Sequence, residues 1–99
     1  MSKNTRACGS RHELEVVKKA RGFGLEAKKH LMSGQLDGSG DITITASWGD
    51  DWSGECKWRK EMPKWFVEAL GDHQFAVFKQ SRGENLVLLR LDDFLGLMQ

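Results

Sequence analysis

The sequence has few of the residues that mark several large classes of protein. Its 99 residues include no Tyr, one Pro and only two Cys. Cys8 and Cys56 are too few for a disulfide framework, and the sequence contains no CxxC pair to bind zinc. The longest apolar runs, such as residues 86–89, are far shorter than a membrane span. We therefore expect neither a disulfide-rich secreted protein, nor a membrane protein, nor a zinc finger.

The start of the chain also lacks a basic segment followed by an apolar segment, so we expect no secretion signal and a cytoplasmic location. Apolar residues make up 39% of the chain and charged residues 29%, which is typical of a soluble globular protein. A chain of this length has room for one domain with a small core, so a second subunit would add stability.

The net charge of +1 hides an uneven distribution along the chain. Residues 1–30 contain eight Lys and Arg against three Glu, a net charge of +5, which leaves −4 for residues 31–99. Such an imbalance favours a surface for a polyanion, and nucleic acid is the commonest polyanion in cells. The alternative is a basic helix face that only contacts solvent.

Local patterns predict a flexible basic N-terminal arm over residues 1–8, followed by a helix. Ser10 and Glu13 form a capping-box pattern, which predicts that this helix spans 10–21. Residues 23–31 are either a first strand or a continuation of the helix.

The Gly/Ser-rich residues 33–40 predict a loop, and the alternating β-branched residues 41–46 predict a strand. The short segment 54–58 predicts a second strand that pairs with the first as a hairpin. Further along, the patterns predict a helix between Pro63 and Gly71, strands at 75–78 and 86–89, and a last helix from Asp92. Residues 9–99 are thus expected to form a single domain.

Three charged residues on the predicted hairpin form a constellation that suits metal chemistry. Asp41 begins the first strand, and strand alternation places Glu55 and Lys57 on one face of its partner. Two carboxylates suit Mg²⁺ or Mn²⁺, which prefer oxygen ligands. The coordination positions of the ion that remain open can accept phosphate oxygens. Lys57 would position or deprotonate a water molecule and offset charge that develops on a phosphate. The structural alternative is that Asp41 caps a turn and that Glu55 and Lys57 form an ion pair.

Two observations favour the metal site over this alternative. Charged residues among apolar strand residues are costly unless they are paired or coordinate an ion. The basic segment that precedes them supplies a surface for phosphates.

The same residues resemble the PD-(D/E)XK nuclease core, with Gly40-Asp41 where that family often has Pro-Asp. More narrowly, segments 9–15, 33–34 and 55–59 resemble the archaeal and phage-type Holliday junction resolvases. The resemblance implies an α/β, restriction-endonuclease-like fold with a mixed central β-sheet flanked by α-helices. It also implies a Mg²⁺-dependent or Mn²⁺-dependent endonuclease that nicks branched double-stranded DNA symmetrically as a homodimer, in a phage or archaeal setting.

The resemblance also assigns site residues. In that subfamily the metal ligands are a Glu of the first helix, the Asp and the Glu of ExK, which match Glu13, Asp41 and Glu55. The Lys that acts beside them matches Lys57, and a Ser in the loop before the Asp strand matches Ser33. Glu15 is the alternative to Glu13 as the helix ligand.

Basic residues around this site are candidates for binding DNA phosphates, and a solvated surface is the alternative. They are Arg6, Arg11, Lys18, Lys19, Arg59 and Lys60. Three interpretations compete with a resolvase. One is another nuclease of the superfamily (a virus-type replication-repair, flap or nicking enzyme), and the second is a non-catalytic DNA-binding module of the same fold. The third is a protein-interaction domain, which predicts no salt-dependent affinity for DNA.

Four Trp residues are many for a chain of this size. Trp65 lies on an apolar face of its predicted helix, which indicates a core position or a dimer interface. Trp48 and Trp52 flank the predicted hairpin turn, where they either pack against the turn or stack on unstacked bases.

Overall fold

A computed structural model describes the backbone of residues 2–30 and 41–99, and the side chains of residues 8–30 and 41–99. Three helices and five strands follow one another as α1 (Ser2–Gly22), β1 (Glu26–Lys29), β2 (Ile42–Thr45), β3 (Asp51–Gly54), α2 (Lys64–Leu70), β4 (Phe75–Lys79), β5 (Asn85–Leu89) and α3 (Leu91–Met98). These elements confirm the predicted α/β class. None of the helices in the described part of the chain combines the length and apolar character needed to cross a membrane.

The chain divides into two compact units. Unit 1 comprises Met1–Arg59 with Met98–Gln99, and unit 2 comprises Lys60–Leu97. The predicted division into an arm over 1–8 and a single domain over 9–99 stays a prediction.

Helix α1 begins earlier than the capping-box pattern predicts. Its backbone is helical from Ser2, so Ser10 and Glu13 lie inside the helix and do not cap it. Residues 2–8 contain no Gly or Pro, and good helix formers such as Lys3 and Ala7 extend the helix toward its N-terminus. At the other end Gly24, at φ 83°, lets the chain turn into β1.

The core of unit 1 lies between α1 and a three-stranded sheet. One face of α1 buries Val16, Val17 and Ala20, which recur at helical spacing. The alternation Ile-Thr-Ile-Thr of β2 buries Ile42 and Ile44 on the inner face, as the sequence predicts. Additional buried apolar side chains of this unit are Leu25, Ala46 and Met98.

The sheet of unit 1 has the strand order β1-β2-β3 and is antiparallel throughout. Segment 23–31 therefore contains a strand, which was one of its two predicted alternatives. At the end of α1, the guanidinium of Arg21 donates hydrogen bonds of 3.1 and 2.8 Å to the carbonyl of Ala27 in β1.

The predicted hairpin is present, but its second strand lies earlier in the chain. Gly49, at φ 99°, helps to close a short turn, and the N–H of Ala46 donates to the carbonyl of Asp50 at 2.8 Å. Strand β3 consequently spans Asp51–Gly54, where we predicted 54–58. Glu55 and Lys57 follow the strand and do not lie on it.

The described part of the chain contains two antiparallel sheets, and the mixed central sheet stays a prediction. The second sheet pairs β4 with β5, again antiparallel. Short turns join β2 to β3 and β4 to β5, and such turns can only join antiparallel strands, since a parallel pair needs a long crossover.

In unit 2, α2 packs against the β4–β5 hairpin through aromatic rings. The ring of Phe78 stacks on Phe66 with centroids 5.4 Å apart, and Trp65 meets Phe78 at a steep angle at 5.7 Å. Pro63 and Gly71 flank α2 as predicted. On α3, Leu95 is fully buried.

Unit 2 also leaves several large apolar side chains exposed. Phe75, Val77 and Val87 are each more than half exposed. Val77 pairs with Val87 across the hairpin, and Phe75 lies two residues from Val77, so the three side chains share one face. Trp65 is 65% exposed, so it is not a core residue, and its predicted place in a dimer interface stays a prediction.

Candidate functional site

Asp41 lies where the three strands of unit 1 come together. Its backbone N–H donates to the carbonyl of Gly54 at 2.8 Å, and its carbonyl accepts from the N–H of His30 at 2.9 Å. Its half-buried side chain accepts a 2.8 Å hydrogen bond from the N–H of Cys56 through Oδ2. These bonds place the carboxylate of Asp41 directly against the Glu55-Cys56-Lys57 segment.

The thiol of Cys56 lies within the electrostatic influence of two further carboxylates. Burial first, and then the negative charges of Asp41, Glu13 and Glu55 in that order, together raise the pKa of this thiol from 9.0 to about 11. A carboxylate disfavours a nearby thiolate because the two like charges repel. The charges of all three predicted metal ligands therefore lie close enough to this thiol to affect its ionisation.

Glu13 reaches this region from α1 and is paired with a cation that the sequence analysis did not single out. Lys29 Nζ lies 3.3 Å from Glu13 Oε1 and also donates to Ser10 Oγ at 2.9 Å. The Glu13 side chain is 16% exposed. Strand alternation in β1 places Lys29 on the same, less exposed face as Ala27, and this pattern could have indicated that Lys29 turns inward.

Glu55 and Lys57 form the second ion pair of the site. Lys57 Nζ lies 3.4 Å from Glu55 Oε2, and both side chains are largely exposed. Glu15, the predicted alternative to Glu13, is exposed on α1 and borders two surface depressions together with Arg11. The charge of Glu13 thus acts on the same thiol as the charges of Asp41 and Glu55, and Glu15 is not among these charges. The choice of Glu13 over Glu15 as the helix ligand stays a prediction.

The oxygen donors of the cluster fit a hard divalent cation in part. Within residues 8–30 and 41–99, no three His, Cys, Asp or Glu side chains are arranged to hold a metal ion together. Mg²⁺ however needs only one or two protein carboxylates, because water and substrate phosphates complete its coordination. Asp41 and Glu55 meet this requirement, and Glu13 would join them only by leaving Lys29.

Three of the predicted DNA-binding residues lie together on α1. Arg11, Lys18 and Lys19 border one surface depression, along with Leu14 and Glu15. All three cations are exposed. The spacing of these residues follows the helix repeat, so they form a basic track along one side of α1.

The other predicted residues are less completely placed. Arg59 is exposed at the end of unit 1, and Lys60 is exposed at the start of unit 2. The backbone of Arg6 lies in α1, while its side chain is outside the described part of the structure. Ser33 lies outside the described residues altogether.

Comparison with known proteins returns no matching family, no matching curated protein and no matching solved structure.

Proposed function

We propose that this protein is a metal-dependent, structure-selective DNA endonuclease with a restriction-endonuclease-like core, and that it resolves Holliday junctions by phosphodiester hydrolysis. The hydrogen bond from the N–H of Cys56 to the carboxylate of Asp41 is the observation that supports this proposal best. It joins the two halves of the Asp…Glu-x-Lys pattern, which are 14 residues apart in sequence, at one point of the fold.

The cluster provides the donors that such a reaction needs. Asp41 and Glu55 would hold Mg²⁺ or Mn²⁺, with Glu13 as a third ligand once it separates from Lys29. The bound cation supplies Lewis-acid polarisation of the phosphodiester and a lower pKa for water.

Lys57 would stabilise negative charge on the phosphate and orient the attacking water. Its ammonium is exposed and lies 3.4 Å from Glu55, so it can reach a phosphate that approaches the cluster from solvent. Ser33 would assist cleavage in the way that the resemblance implies.

The substrate would lie along the basic residues of the chain. Arg6, Arg11, Lys18 and Lys19 belong to α1, and Arg59 and Lys60 follow the Glu-x-Lys segment closely. Each phosphate that a Lys or Arg neutralises releases counterions, so affinity for DNA should fall steeply as salt increases.

A homodimer would supply the two sites that symmetric nicking requires. The exposed face formed by Phe75, Val77 and Val87 on unit 2 is the proposed contact with a second copy. A two-stranded hairpin is marginally stable alone, so covering this face would also stabilise unit 2.

The test compares an immobile four-way junction with a linear duplex of the same sequence, each with Mg²⁺ and with EDTA. We expect paired symmetric nicks in the junction that disappear with EDTA and with Asp41→Asn. Asp72→Asn, which changes an exposed carboxylate of unit 2, serves as the matched control and should cut normally.

Two other results would change the proposal. Equal cutting of duplex and junction would indicate a flap, nicking or repair nuclease of the same superfamily. Salt-dependent binding without metal-dependent cutting would exclude catalysis and indicate a DNA-binding module.

A further inference from the structure

A small cavity opens in unit 1 beside the proposed catalytic cluster. It has a volume of about 130 Å³ and is lined by Cys8, Arg11, His12 and Glu15 of α1 and by Trp58. At about 30 Å³ per water molecule, it has room for roughly four waters. Trp58 directly follows Lys57, and its indole is 40% exposed. The cavity therefore combines an aromatic face with polar side chains next to the cluster.

His12 is the one lining residue with an unsatisfied group. Its Nδ1 is buried and has no hydrogen-bond partner within the side chains that the structure describes. A buried polar atom without a partner costs free energy, which a ligand with a suitable donor or acceptor would recover.

The cavity continues into the basic track along α1. Arg11 and Glu15 line both the cavity and the depression that Lys18 and Lys19 border. From Cys8 to Lys19 the helix advances about 16 Å at 1.5 Å per residue. This is the length of roughly five nucleotides at 3.4 Å each along one DNA strand. A strand whose phosphates follow the track would reach the cavity with one end.

We infer that this cavity binds a single unstacked nucleobase of the DNA strand that lies along α1, with the base stacked on Trp58. The inference rests on the proposed function for its DNA ligand, but it requires only binding and not cleavage. Base stacking on an aromatic side chain tolerates every base. The carboxylate of Glu15 adds a preference for a base with an exocyclic amino group, such as cytosine, over thymine, because a carboxylate can only accept a hydrogen bond.

Branched DNA is the substrate class that supplies such a base. Base pairs next to a branch point are the easiest to open, and an unpaired base can leave its stack at low cost. The site would thereby place a branch point, and not continuous duplex, beside Asp41 and Glu55.

The test measures binding in EDTA, where a metal-dependent enzyme cannot cut. The probe is a duplex with one unpaired 2-aminopurine at a branch, whose fluorescence falls when the base stacks. We expect quenching on binding to the wild-type protein, and no quenching with roughly tenfold weaker binding for Trp58→Ala, within the range for loss of one base stack. Trp58→Phe should retain most of both effects. A cytosine at the unpaired position should compete better than a thymine, and Glu15→Gln should reduce this preference.

Trp48→Ala is the matched control. Trp48 is 55% exposed in the β2–β3 turn, where its Nε1–H donates to Asp50 Oδ2 at 2.9 Å, away from the cavity lining. The inference would be overturned if Trp58→Ala quenched the fluorescence as much as the wild type does. It would also be overturned if Trp48→Ala lost as much quenching as Trp58→Ala. Quenching that depends on Trp58, in a protein that never cuts DNA with Mg²⁺, would support the cavity and refute the nuclease. Normal junction cutting without quenching would refute the cavity alone, and a complete absence of DNA binding would refute both.

Discussion

The ionisation of Cys56 depends on its burial and on the charges of the three carboxylates around it. In a protein with Cys8→Ser, Cys56 is the only thiol, and its alkylation rate can be followed by mass spectrometry as pH changes. We expect a half-maximal rate near pH 11 in place of the ordinary pKa of 9.0, because burial and the charges of Asp41, Glu13 and Glu55 disfavour the thiolate.

The size of the effect at neutral pH follows from the same value. At pH 8, a thiol with a pKa of about 11 is ionised to roughly 0.1%, against roughly 9% for a thiol with a pKa of 9.0. A thiolate of higher pKa is also a stronger nucleophile, by roughly eightfold over two pKa units. Alkylation of Cys56 at pH 8 should therefore be about tenfold slower than alkylation of an ordinary thiol.

Neutralising each carboxylate separates the contributions to the pKa of Cys56. We expect Asp41→Asn to lower this pKa most, followed by Glu13→Gln and then Glu55→Gln. None of these three variants should restore the ordinary pKa of a thiol, since burial is the largest cause of the increase. Asn is chosen at position 41 because its side-chain oxygen can still accept from the N–H of Cys56. Glu15→Gln is the control and should have no effect.

Addition of Mg²⁺ extends this experiment to the proposed metal site. A cation held by Asp41 and Glu55 would offset their charges and lower the pKa of Cys56, so alkylation at pH 8, where Mg²⁺ stays in solution, should be faster with Mg²⁺ than with EDTA. The difference should disappear in Asp41→Asn. A wild-type midpoint near pH 9, or a midpoint that none of the three neutral variants changes, would refute the convergence of the carboxylates on this thiol.

Three further outcomes can be measured by urea denaturation. The pKa of Cys56 is higher in the folded state than in the unfolded state, so the contribution of this thiol to stability is complete below about pH 9 and is lost as pH rises toward 11. Between pH 8 and 10.5, Cys56→Ser should therefore lose less stability than the wild type. Ile44→Ala should reduce the free energy of unfolding by about 2–5 kcal/mol because it opens a cavity in the core, whereas Val67→Ala at an exposed position of α2 should stay within about 0.5 kcal/mol. A double-mutant cycle of Glu13→Gln and Lys29→Met should give a coupling energy of about 1 kcal/mol that decreases with salt, and additive effects would contradict the ion pair.

Local sequence patterns correctly predicted those helices and strands that are determined by residues close together in the sequence. The Ile-Thr-Ile-Thr alternation of β2, the Pro63 and Gly71 limits of α2, and the hairpin of β4 and β5 all agree with the structure. Each depends on residues within a few positions of one another, so a single sequence contains the information.

Two errors arose where a local signal had a different cause. Ser10 and Glu13 have the spacing of a capping box, but both side chains contact Lys29, which is 16 or more residues away in sequence. The register of the second hairpin strand depended on the length of the turn, and the turn at Gly49 is tighter than predicted. The proximity of Asp41 to the Glu55-Cys56-Lys57 segment was expected from the hairpin. The contact that we find is made by the Asp41 side chain and the backbone N–H of Cys56, and not by two facing strand residues.

The two hydrogen bonds from Arg21 to the carbonyl of Ala27 affect how copies of this chain can associate. His30 and Asp41 form a hydrogen-bonded pair, so alternation along β1 turns the backbone groups of Ala27 away from β2. An outward carbonyl on an edge strand is a template onto which a strand of another molecule can add, the first step toward fibrillar aggregates. The guanidinium occupies this acceptor, so the β1 edge of the sheet offers one carbonyl fewer to a strand that would add there.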